Sequence, residues 1–254
     1  MDFKIIAGPC TVESREQIET IAKRVSSYGA THLRGGVYKT RSSHDKWAGL
    51  RSREGIEWLC KAGRKYGLEV VTEIDSADNI QMYKECGAGI FQVGSRNANN
   101  QELLEALARA DVKVLLKNGM EQNYNDFIES AKRFKKVILC ARGKSNEKDI
   151  ARNGQDITSL IHLINTGYPV IFDPSHSCGK REYVFDAVMG AVAMGVNGIM
   201  VEVHYNPEKS FVDGRQSIDL KQFANLVLAI EVQRKTFEKV NEQRLWCKTY
   251  MAFL

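Results

Sequence analysis

The stretch KIIAGPCTVESREQIETIAKRVSSYGATHLRGGVY, residues 4–38, contains the pattern that decides the fold. Each of its ends is a short apolar run with little polar alternation, which is typical of a strand that is buried on both faces. Between these runs, apolar residues recur with helical spacing at Ile18, Ile21, Ala22 and Val25. A strand, a helix and a second strand in this order predict two parallel strands that are joined by a crossover helix.

The same alternation continues along the chain. We predict eight strands, which are KIIAG from Lys4, HLRGGVY from His32, LEVVTEI from Leu68, GIFQVG from Gly89, VKVLLK from Val112, KVILCA from Lys136, YPVIFD from Tyr168 and NGIMVEV from Asn197. We predict helices near residues 14–29, 52–66, 76–86, 101–110, 123–134 and 182–195, and a helical tail from Ile218 onward. Eight parallel strands close a (β/α)8 TIM barrel, an α/β fold. An open doubly wound sheet is the alternative, but AGPCTVES does not match its GxGxxG fingerprint.

We expect a single domain, in which residues 1–220 form the barrel and residues 221–254 form a C-terminal helix. This helix would comprise the eighth barrel helix and an extension, which packs either across the barrel or against another subunit. Two long loops follow strands, at about residues 39–51 and 142–155. Long strand-to-helix loops of a barrel commonly bind ligands or act as lids.

The composition is that of an ordinary globular protein with a large core, since 43% of the 254 residues are hydrophobic and 26% are charged. No apolar run approaches the roughly 18 residues of a membrane span, and the N-terminus lacks the pattern of a signal peptide. Six cysteines without a CxxC pair indicate a reducing cytoplasm. The net charge of +5 argues weakly for anionic ligands, and no basic stretch with interleaved aromatic residues indicates nucleic acid.

Cationic side chains are predicted at the carboxyl ends of several strands, where the active sites of barrels lie. They are Arg34, Lys39, Arg41, Arg96, Lys117 and Arg142. Two like charges about 4 Å apart repel by roughly 4 kcal/mol at an effective dielectric near 20. Their convergence is therefore unfavourable unless anions neutralise them, and arginine suits phosphate and carboxylate groups. Alternatively, each of them is an exposed surface side chain, as lysine and arginine usually are.

A second group of residues at the strand ends has the chemistry of metal ligands, and consists of Cys10, His176, Glu202 and Asp213. A thiolate, an imidazole and two carboxylates suit Mn, Fe, Co or Zn better than Mg or Ca. Alternatively, Cys10 fills the core, His176 is a hydrogen-bonded loop residue and the two carboxylates pair with the cations. His204, His44 and Asp173 are possible substitute ligands, whereas Cys140 is expected in the core.

Eight motifs resemble, in order and spacing, the type I 3-deoxy-D-arabino-heptulosonate 7-phosphate (DAHP) synthases, and especially the subgroup related to the octulosonate synthases. They are AGPCTVES, LRGGVYKTRSS, VTEI, QVGSRNANN, LLKNGM, ILCARG, DPSHSCGKR and VEVHYNPEKSFVDGRQSI, between about Ile5 and Leu220. The family's fold is a (β/α)8 barrel, which agrees with the strand count. The resemblance implies a cytoplasmic, metal-dependent transferase that condenses phosphoenolpyruvate with erythrose 4-phosphate. This is the first step of the shikimate pathway, which leads to the aromatic amino acids.

The resemblance also implies a role for each matching residue. The metal ligands would be Cys10, His176, Glu202 and Asp213. The substrates would contact Arg34, Lys39, Arg41, Ser42, Arg96, Lys117 and Arg142, and the catalytic residues would be Lys39, Lys117, His176 and Cys10. We expect the surrounding cations to lower the pKa of Lys39 or Lys117 for proton transfer. We also expect Asp173 to orient a neighbour, and Lys180 and Arg181 to lie near the phosphate of the aldehyde.

Three residues depart from the family pattern. Thr40 stands in place of a proline, Ala141 in place of a glutamate and Asn118 where the subgroup often has arginine. These positions concern the aldehyde, so its identity is the less secure part of the assignment. The short spacing of Lys39 and Arg41 favours erythrose 4-phosphate over the arabinose 5-phosphate of the octulosonate synthases. A barrel that binds a phosphorylated metabolite without catalysis is a further alternative. We expect a homo-oligomer, either a dimer or a tetramer, without a regulatory domain before the barrel.

Overall fold

The computed structural model describes residues 2–39, 47–145 and 153–251, with side chains up to residue 243. Eight parallel strands form a closed barrel in chain order. They are β1 (Lys4–Gly8), β2 (His32–Arg34), β3 (Glu69–Ile74), β4 (Ile90–Val93), β5 (Val114–Lys117), β6 (Val137–Ala141), β7 (Val170–Phe172) and β8 (Gly198–Glu202). Pairing of β8 with β1, from Lys4 opposite Gly198 to Gly8 opposite Glu202, closes the barrel. The predicted barrel is therefore confirmed, and the open doubly wound sheet is excluded.

The interior of the barrel is a packed apolar layer below the strand ends. Its buried side chains are Ile6, Val71, Ile90, Leu115, Ile138, Cys140, Ile171 and Met200. Burial of one aliphatic side chain of this size contributes about 1.5–3 kcal/mol to folding. Cys140 thus lies in the core, as expected, and a group of buried polar residues lies above this layer, at the carboxyl ends of the strands.

The helices surround the barrel. They are α1 (Arg15–Ser27), α2 (Arg53–Lys65), α3 (Ile80–Cys86), α4 (Gln101–Arg109), α5 (Tyr124–Ala131), α6 (Ile157–Ile164), α7 (Pro174–Cys178), α8 (Val184–Met194) and α9 (Leu220–Met251). Serine caps fix the start of α1 and α2, since the hydroxyl oxygens of Ser14 and Ser52 accept hydrogen bonds from the amides of Gln17 and Gly55. The residues Ile18, Ile21, Ala22 and Val25 are all buried, so the predicted apolar stripe faces the strands.

Two helices were not expected from the sequence pattern. The segment of α6, ITSLIHLI, has apolar residues at helical spacing, Ile157, Leu160, Ile161 and Ile164, but it has only eight residues, and Ile157 remains 63% exposed. The helix α7 has only five residues and is largely polar, PSHSC. Its start is fixed by Asp173, whose carboxylate accepts a hydrogen bond from the amide of His176 at 3.1 Å.

The long helix α9 begins on the barrel. Its buried residues Phe223, Leu226, Val227 and Ile230 belong to the main core, and the helix packs against α1 and α8. Further along, the Arg234 guanidinium lies 4.8 Å from the centre of the Phe3 ring. The first part of the C-terminal helix therefore packs on the outside of the barrel, against α1 and α8. Among the residues that the structure describes, no helix combines the length and the apolar character that spanning a membrane requires.

Glu69 lies at the amino-terminal rim of the barrel, opposite the strand ends that carry the polar groups. Its carboxylate is 3.1 Å from Nε2 of His32 and accepts hydrogen bonds at 3.1 and 3.2 Å from the Lys113 ammonium. Gly89 provides the space, because a Cβ atom there would lie 2.6 Å from Cγ of Glu69. The interactions with His32 and Lys113 lower the pKa of Glu69 to about 2.

We expect the substitution Glu69→Gln to lower the free energy of unfolding at pH 7 by about 1 kcal/mol, because screening by solvent limits the effect of a carboxylate that is 39% exposed. A depressed pKa stabilises the fold above the unfolded value of 4.5, and this stabilisation is lost as pH falls towards about 2. The difference between the proteins should therefore shrink over this range in urea unfolding curves. Glu231→Gln, on an exposed position of α9, is the control. A difference that is independent of pH would contradict this assignment.

Candidate active site at the mouth of the barrel

A cleft with about 490 Å³ of empty space opens at the carboxyl ends of the strands. Its lining residues are Lys39, Glu73, Gln92, Gly94, Ser95, Arg96, Lys117, Met120, Arg142, His176 and Asp213. Four of these are cations that were expected at this rim from the sequence. The cleft is polar and cationic, which suits small anionic molecules.

The four predicted metal ligands lie together beside this cleft. One donor atom each from Cys10, His176, Glu202 and Asp213 lies within 4.8 Å of all the others. The Cys10 thiol donates to Oδ2 of Asp213 at 3.2 Å, and Nε2 of His176 is 3.4 Å from Oε1 of Glu202. Burial and the nearby Glu202 carboxylate raise the pKa of the Cys10 thiol. We name these four residues the metal-ligand cluster.

The local chain explains why distant residues meet in the metal-ligand cluster. Cys10 follows β1, Glu202 is the last residue of β8, and β8 is the neighbour of β1. His176 lies in α7, directly after β7. Asp213 comes from the loop after β8 and has a left-handed backbone with a φ of 56°. A non-glycine residue in this conformation is strained and is often found at functional sites.

Asp173 connects the metal-ligand cluster with the cationic cleft. Its Oδ2 accepts a hydrogen bond from Nζ of Lys117 at 2.6 Å and lies 2.9 Å from Nδ1 of His176. Although burial alone would raise the pKa of Asp173, His176 and Lys117 hold it well below its usual value. A carboxylate on the second nitrogen of a histidine fixes the orientation of the ring. The expectation that Asp173 orients a neighbour agrees with this geometry.

Lys39 forms an ion pair that was not anticipated. Its Nζ lies 3.2 Å from Oε2 of Glu73 and donates to Sγ of Cys10 at 3.3 Å. Burial lowers the pKa of Lys39, but Cys10 and Glu73 outweigh it and raise the pKa above its usual value. The prediction that surrounding cations lower the pKa of this lysine is therefore wrong, because the nearest charged group is a carboxylate.

The other cations at the rim have distinct partners. Nη2 of Arg34 is 3.2 Å from Oε1 of Glu202, so this arginine lies behind the metal-ligand cluster rather than in the lining of the cleft. Arg142 is buried and donates to Oδ1 of Asn153 at 2.9 Å, whereas Arg96 is exposed and lines the cleft. Arg41, Ser42, Thr40 and His44 lie outside the described residues, so the expectations for them stay predictions.

Some polar residues near the rim do not line the cleft. Arg181 donates to the carbonyl oxygen of Gly214 at 2.8 Å and pairs with Glu208, and so holds the loop that carries Asp213. The Lys180 ammonium lies 5.3 Å from the centre of the Tyr183 ring. Nε2 of His204 is 3.5 Å from Oε2 of Glu13. His204 is therefore not a member of the metal-ligand cluster.

Glu73 and Gln92 are cleft residues that the sequence analysis did not single out. Both lie inside apolar strands, on β3 and β4, and Nε2 of Gln92 donates to Oε2 of Glu73 at 3.4 Å. A polar residue within a strand that is otherwise buried on both faces was the available signal, since such a residue needs a partner in the interior.

Comparison with known proteins found a matching family and matching relatives. The family described as the DAHP synthetase I family matches residues 1–238. The phospho-2-dehydro-3-deoxyheptonate aldolase of Thermotoga maritima is 41% identical over 231 residues, which are 89% of this chain and 68% of that protein. A 2-dehydro-3-deoxyphosphooctonate aldolase of Fusobacterium nucleatum is 29% identical over 258 residues, 91% of each chain. The crystal structure of the Thermotoga maritima aldolase superposes with a TM-score of 0.87 at 39% identity, and covers 92% of this chain and 70% of that one.

Proposed function

Because the chain belongs to the DAHP synthetase I family and is an enzyme of that family, we propose that it condenses phosphoenolpyruvate with erythrose 4-phosphate. In this reaction C3 of phosphoenolpyruvate forms a bond to the aldehyde carbon of the acceptor. Water then adds at C2 and phosphate leaves, which gives 3-deoxy-D-arabino-heptulosonate 7-phosphate. The observation that carries the proposal is the convergence of Lys39, Arg96, Lys117 and Arg142 around one cleft beside the metal-ligand cluster.

We propose that the metal-ligand cluster holds one divalent ion. Metal–ligand bonds of about 2.0–2.3 Å keep two ligands of one ion within about 4.6 Å, close to the 4.8 Å that encloses the four donor atoms. Oε1 of Glu202 lies 3.2 Å from the Arg34 guanidinium and 3.4 Å from Nε2 of His176, but it is buried and accepts no well-aligned hydrogen bond among the described residues, which supports a lone pair that is available to a metal. The donor set suits Mn, Fe, Co or Zn. When bound, the ion would polarise the aldehyde oxygen as a Lewis acid.

The residues of the cleft would bind the anions and move protons. Arg96 and Arg142 would bind the phosphate and carboxylate of phosphoenolpyruvate, since guanidinium groups match both. Lys117, which Asp173 holds at 2.6 Å, would keep this anion next to the metal-ligand cluster. Lys39 is charged beside Glu73, and its Nζ would donate a proton to the aldehyde oxygen as the new bond forms. Holding two mutually repellent anions at bonding distance is a large part of such catalysis.

The proposal also specifies which aldehyde is the acceptor. Support comes from the short Lys39–Thr40–Arg41 spacing, in which Arg41 and Ser42 would bind the phosphate of erythrose 4-phosphate. Further support is the higher identity to the heptonate aldolase, 41%, than to the octonate aldolase, 29%. Condensation with arabinose 5-phosphate is the second candidate, because octonate aldolases also match along most of the chain.

We expect phosphate release from phosphoenolpyruvate to be at least about tenfold faster, in kcat/KM, with erythrose 4-phosphate than with arabinose 5-phosphate, because one misplaced phosphate contact costs about 1.4 kcal/mol or more. The measurement is a phosphate-release assay with each aldehyde and with Mn²⁺, Fe²⁺, Co²⁺ or Zn²⁺ added to the metal-depleted protein. Omission of the aldehyde is the control. Faster turnover with the pentose would assign the other reaction, and turnover with neither would leave only a binding role for the barrel.

We also propose that the protein is a cytoplasmic homo-oligomer, either a dimer or a tetramer. Leu228 and Val232 lie one turn apart on α9 and are 63% and 67% exposed, which supports an apolar surface that a second subunit covers. Free thiols at Cys60 and Cys86 are consistent with a reducing compartment.

A further inference from the structure

Asn153 lies between the part of the candidate site that would bind an anion and the part that would bind the metal ion. On one side is Arg142, which lines the cleft, and on the other is the backbone of His176, a member of the metal-ligand cluster. We propose that Asn153 is a positioning residue that couples the anion-binding arginine to the metal-binding histidine. This inference rests on the proposed function, because it takes Arg142 and His176 as binding residues.

Both polar atoms of the Asn153 side chain are used in this bridge. Oδ1 accepts a hydrogen bond from Nη1 of Arg142 at 2.9 Å, and Nδ2 donates to the carbonyl oxygen of His176 at 2.7 Å. The residue is only 4% exposed, so water cannot easily replace a lost partner. Leaving a buried donor or acceptor unsatisfied costs about 1–3 kcal/mol.

The chemistry of the partners fixes the orientation of the amide. A guanidinium can only donate and a carbonyl oxygen can only accept, so the oxygen of Asn153 must face Arg142 and its nitrogen must face His176. Aspartate has the same shape but cannot donate to the carbonyl oxygen, and alanine can make neither bond. Asparagine is therefore the residue that serves both partners at this position.

The surrounding backbone makes the bridge rigid. Residues Asn153 and Gly154 pair with Lys144 and Ser145 in a short antiparallel ladder that follows β6. Asn118 holds the other side of Arg142, since its Oδ1 accepts from the Arg142 amide at 2.9 Å. Arg142 is thus fixed through its backbone by Asn118 and through its side chain by Asn153.

A second contact shortens the path between the two binding groups. Nη2 of Arg142 lies 3.5 Å from the same carbonyl oxygen of His176 that Asn153 contacts. A movement of Arg142 towards an anion must therefore be transmitted to α7, directly and through Asn153. Anion binding and metal binding should consequently depend on each other, and by linkage the dependence is reciprocal.

The test uses Asn153→Ala and Asn153→Asp, with Asn225→Ala on the exposed face of α9 as the matched control. Binding of Mn²⁺ alone, of phosphoenolpyruvate alone, and of Mn²⁺ in the presence of phosphoenolpyruvate is measured by calorimetry. We expect Asn153→Ala to weaken both single ligands about tenfold, as substitutions behind metal ligands do. The factor by which one ligand changes the dissociation constant of the other should fall towards one, the value for independent binding. Asn153→Asp should weaken phosphoenolpyruvate further, because its carboxylate competes for Arg142.

A purely structural role would lower the melting temperature of Asn153→Ala and leave both affinities within twofold of the wild type. That result, or a change in the affinity for one ligand alone, would overturn the coupling. If alanine prevents folding, the aspartate variant, which has the same shape, decides by the same criteria. Wild-type protein that binds neither ligand would instead refute the proposed function, so the two failures are distinguishable.

Discussion

Replacing His176 by alanine should lower turnover at least about 10³-fold and abolish tight Mn²⁺ binding. The imidazole is the one nitrogen donor of the metal-ligand cluster, and its Nε2 lies 3.4 Å from Oε1 of Glu202. Loss of a Lewis acid worth about 4 kcal/mol in the transition state corresponds to roughly a 10³-fold loss of rate. Phosphate release at saturating phosphoenolpyruvate and Mn²⁺ binding by equilibrium dialysis are the measurements.

The fold should survive this substitution. Asp173, which would lose the imidazole, keeps its hydrogen bond from Lys117 at 2.6 Å, and the barrel layer beneath remains packed. His162→Ala is the matched control, because His162 is exposed at the end of α6 and should change turnover by less than about twofold. Wild-type protein that is treated with a chelator should behave like His176→Ala and recover when Mn²⁺ is restored. Turnover of His176→Ala within tenfold of the wild type would rule out the proposed centre.

The residues of the site that the sequence predicts share one property, which is their place at the carboxyl end of a strand or in the loop that follows it. Cys10 and Asp213 are 203 positions apart in the chain, yet the thiol and the carboxylate form a hydrogen bond. Parallel strands of a closed barrel bring all their carboxyl ends to one rim. The order of the strands therefore predicts which residues lie close together, even when these residues are far apart in the sequence. Once the eight strands are recognised, topology places Cys10, His176, Glu202 and Asp213 at one rim, but it does not distinguish them from His204, which follows β8 and lies outside the cluster.

Features that depend on side-chain partners could not be predicted in the same way. Glu73 lies within the apolar strand β3, and the sequence does not reveal that it forms an ion pair with Lys39 in the lining of the cleft. The sequence predicts cations and the carboxylates Glu202 and Asp213 at the rim, but it does not place Glu73 beside Lys39, and the predicted direction of the Lys39 pKa shift is therefore wrong. The helices α6 and α7 have only eight and five residues, and α7 is largely polar, so neither gives a periodic pattern long enough to predict a helix.

Replacing Gly8 by alanine should lower the free energy of unfolding by about 3–4 kcal/mol, among the largest effects expected of a single methyl group. Gly8 ends β1 with a φ of 151°, and a Cβ atom there would lie 2.1 Å from the carbonyl oxygen of Arg34. Neither atom belongs to a flexible side chain, so the two strands would have to separate. Because Gly8 also lies opposite Glu202, the partner of Arg34, any protein that folds should have lost most of its activity.

Gly190→Ala isolates the cause of this effect, because it makes the same chemical change in the middle of α8. Apart from its chain neighbours and the backbone of α8 itself, no atom of the described residues lies within 4 Å of a Cβ atom at Gly190. Alanine in a helix interior should stabilise the protein by about 0.5–1 kcal/mol relative to glycine. Urea unfolding followed by circular dichroism should therefore separate the two variants by roughly 4 kcal/mol, in opposite directions from the wild type. Equal urea midpoints for Gly8→Ala and the wild type would contradict this prediction. They would mean that β1 and β2 are further apart at Gly8, with room for a methyl group beside the carbonyl oxygen of Arg34.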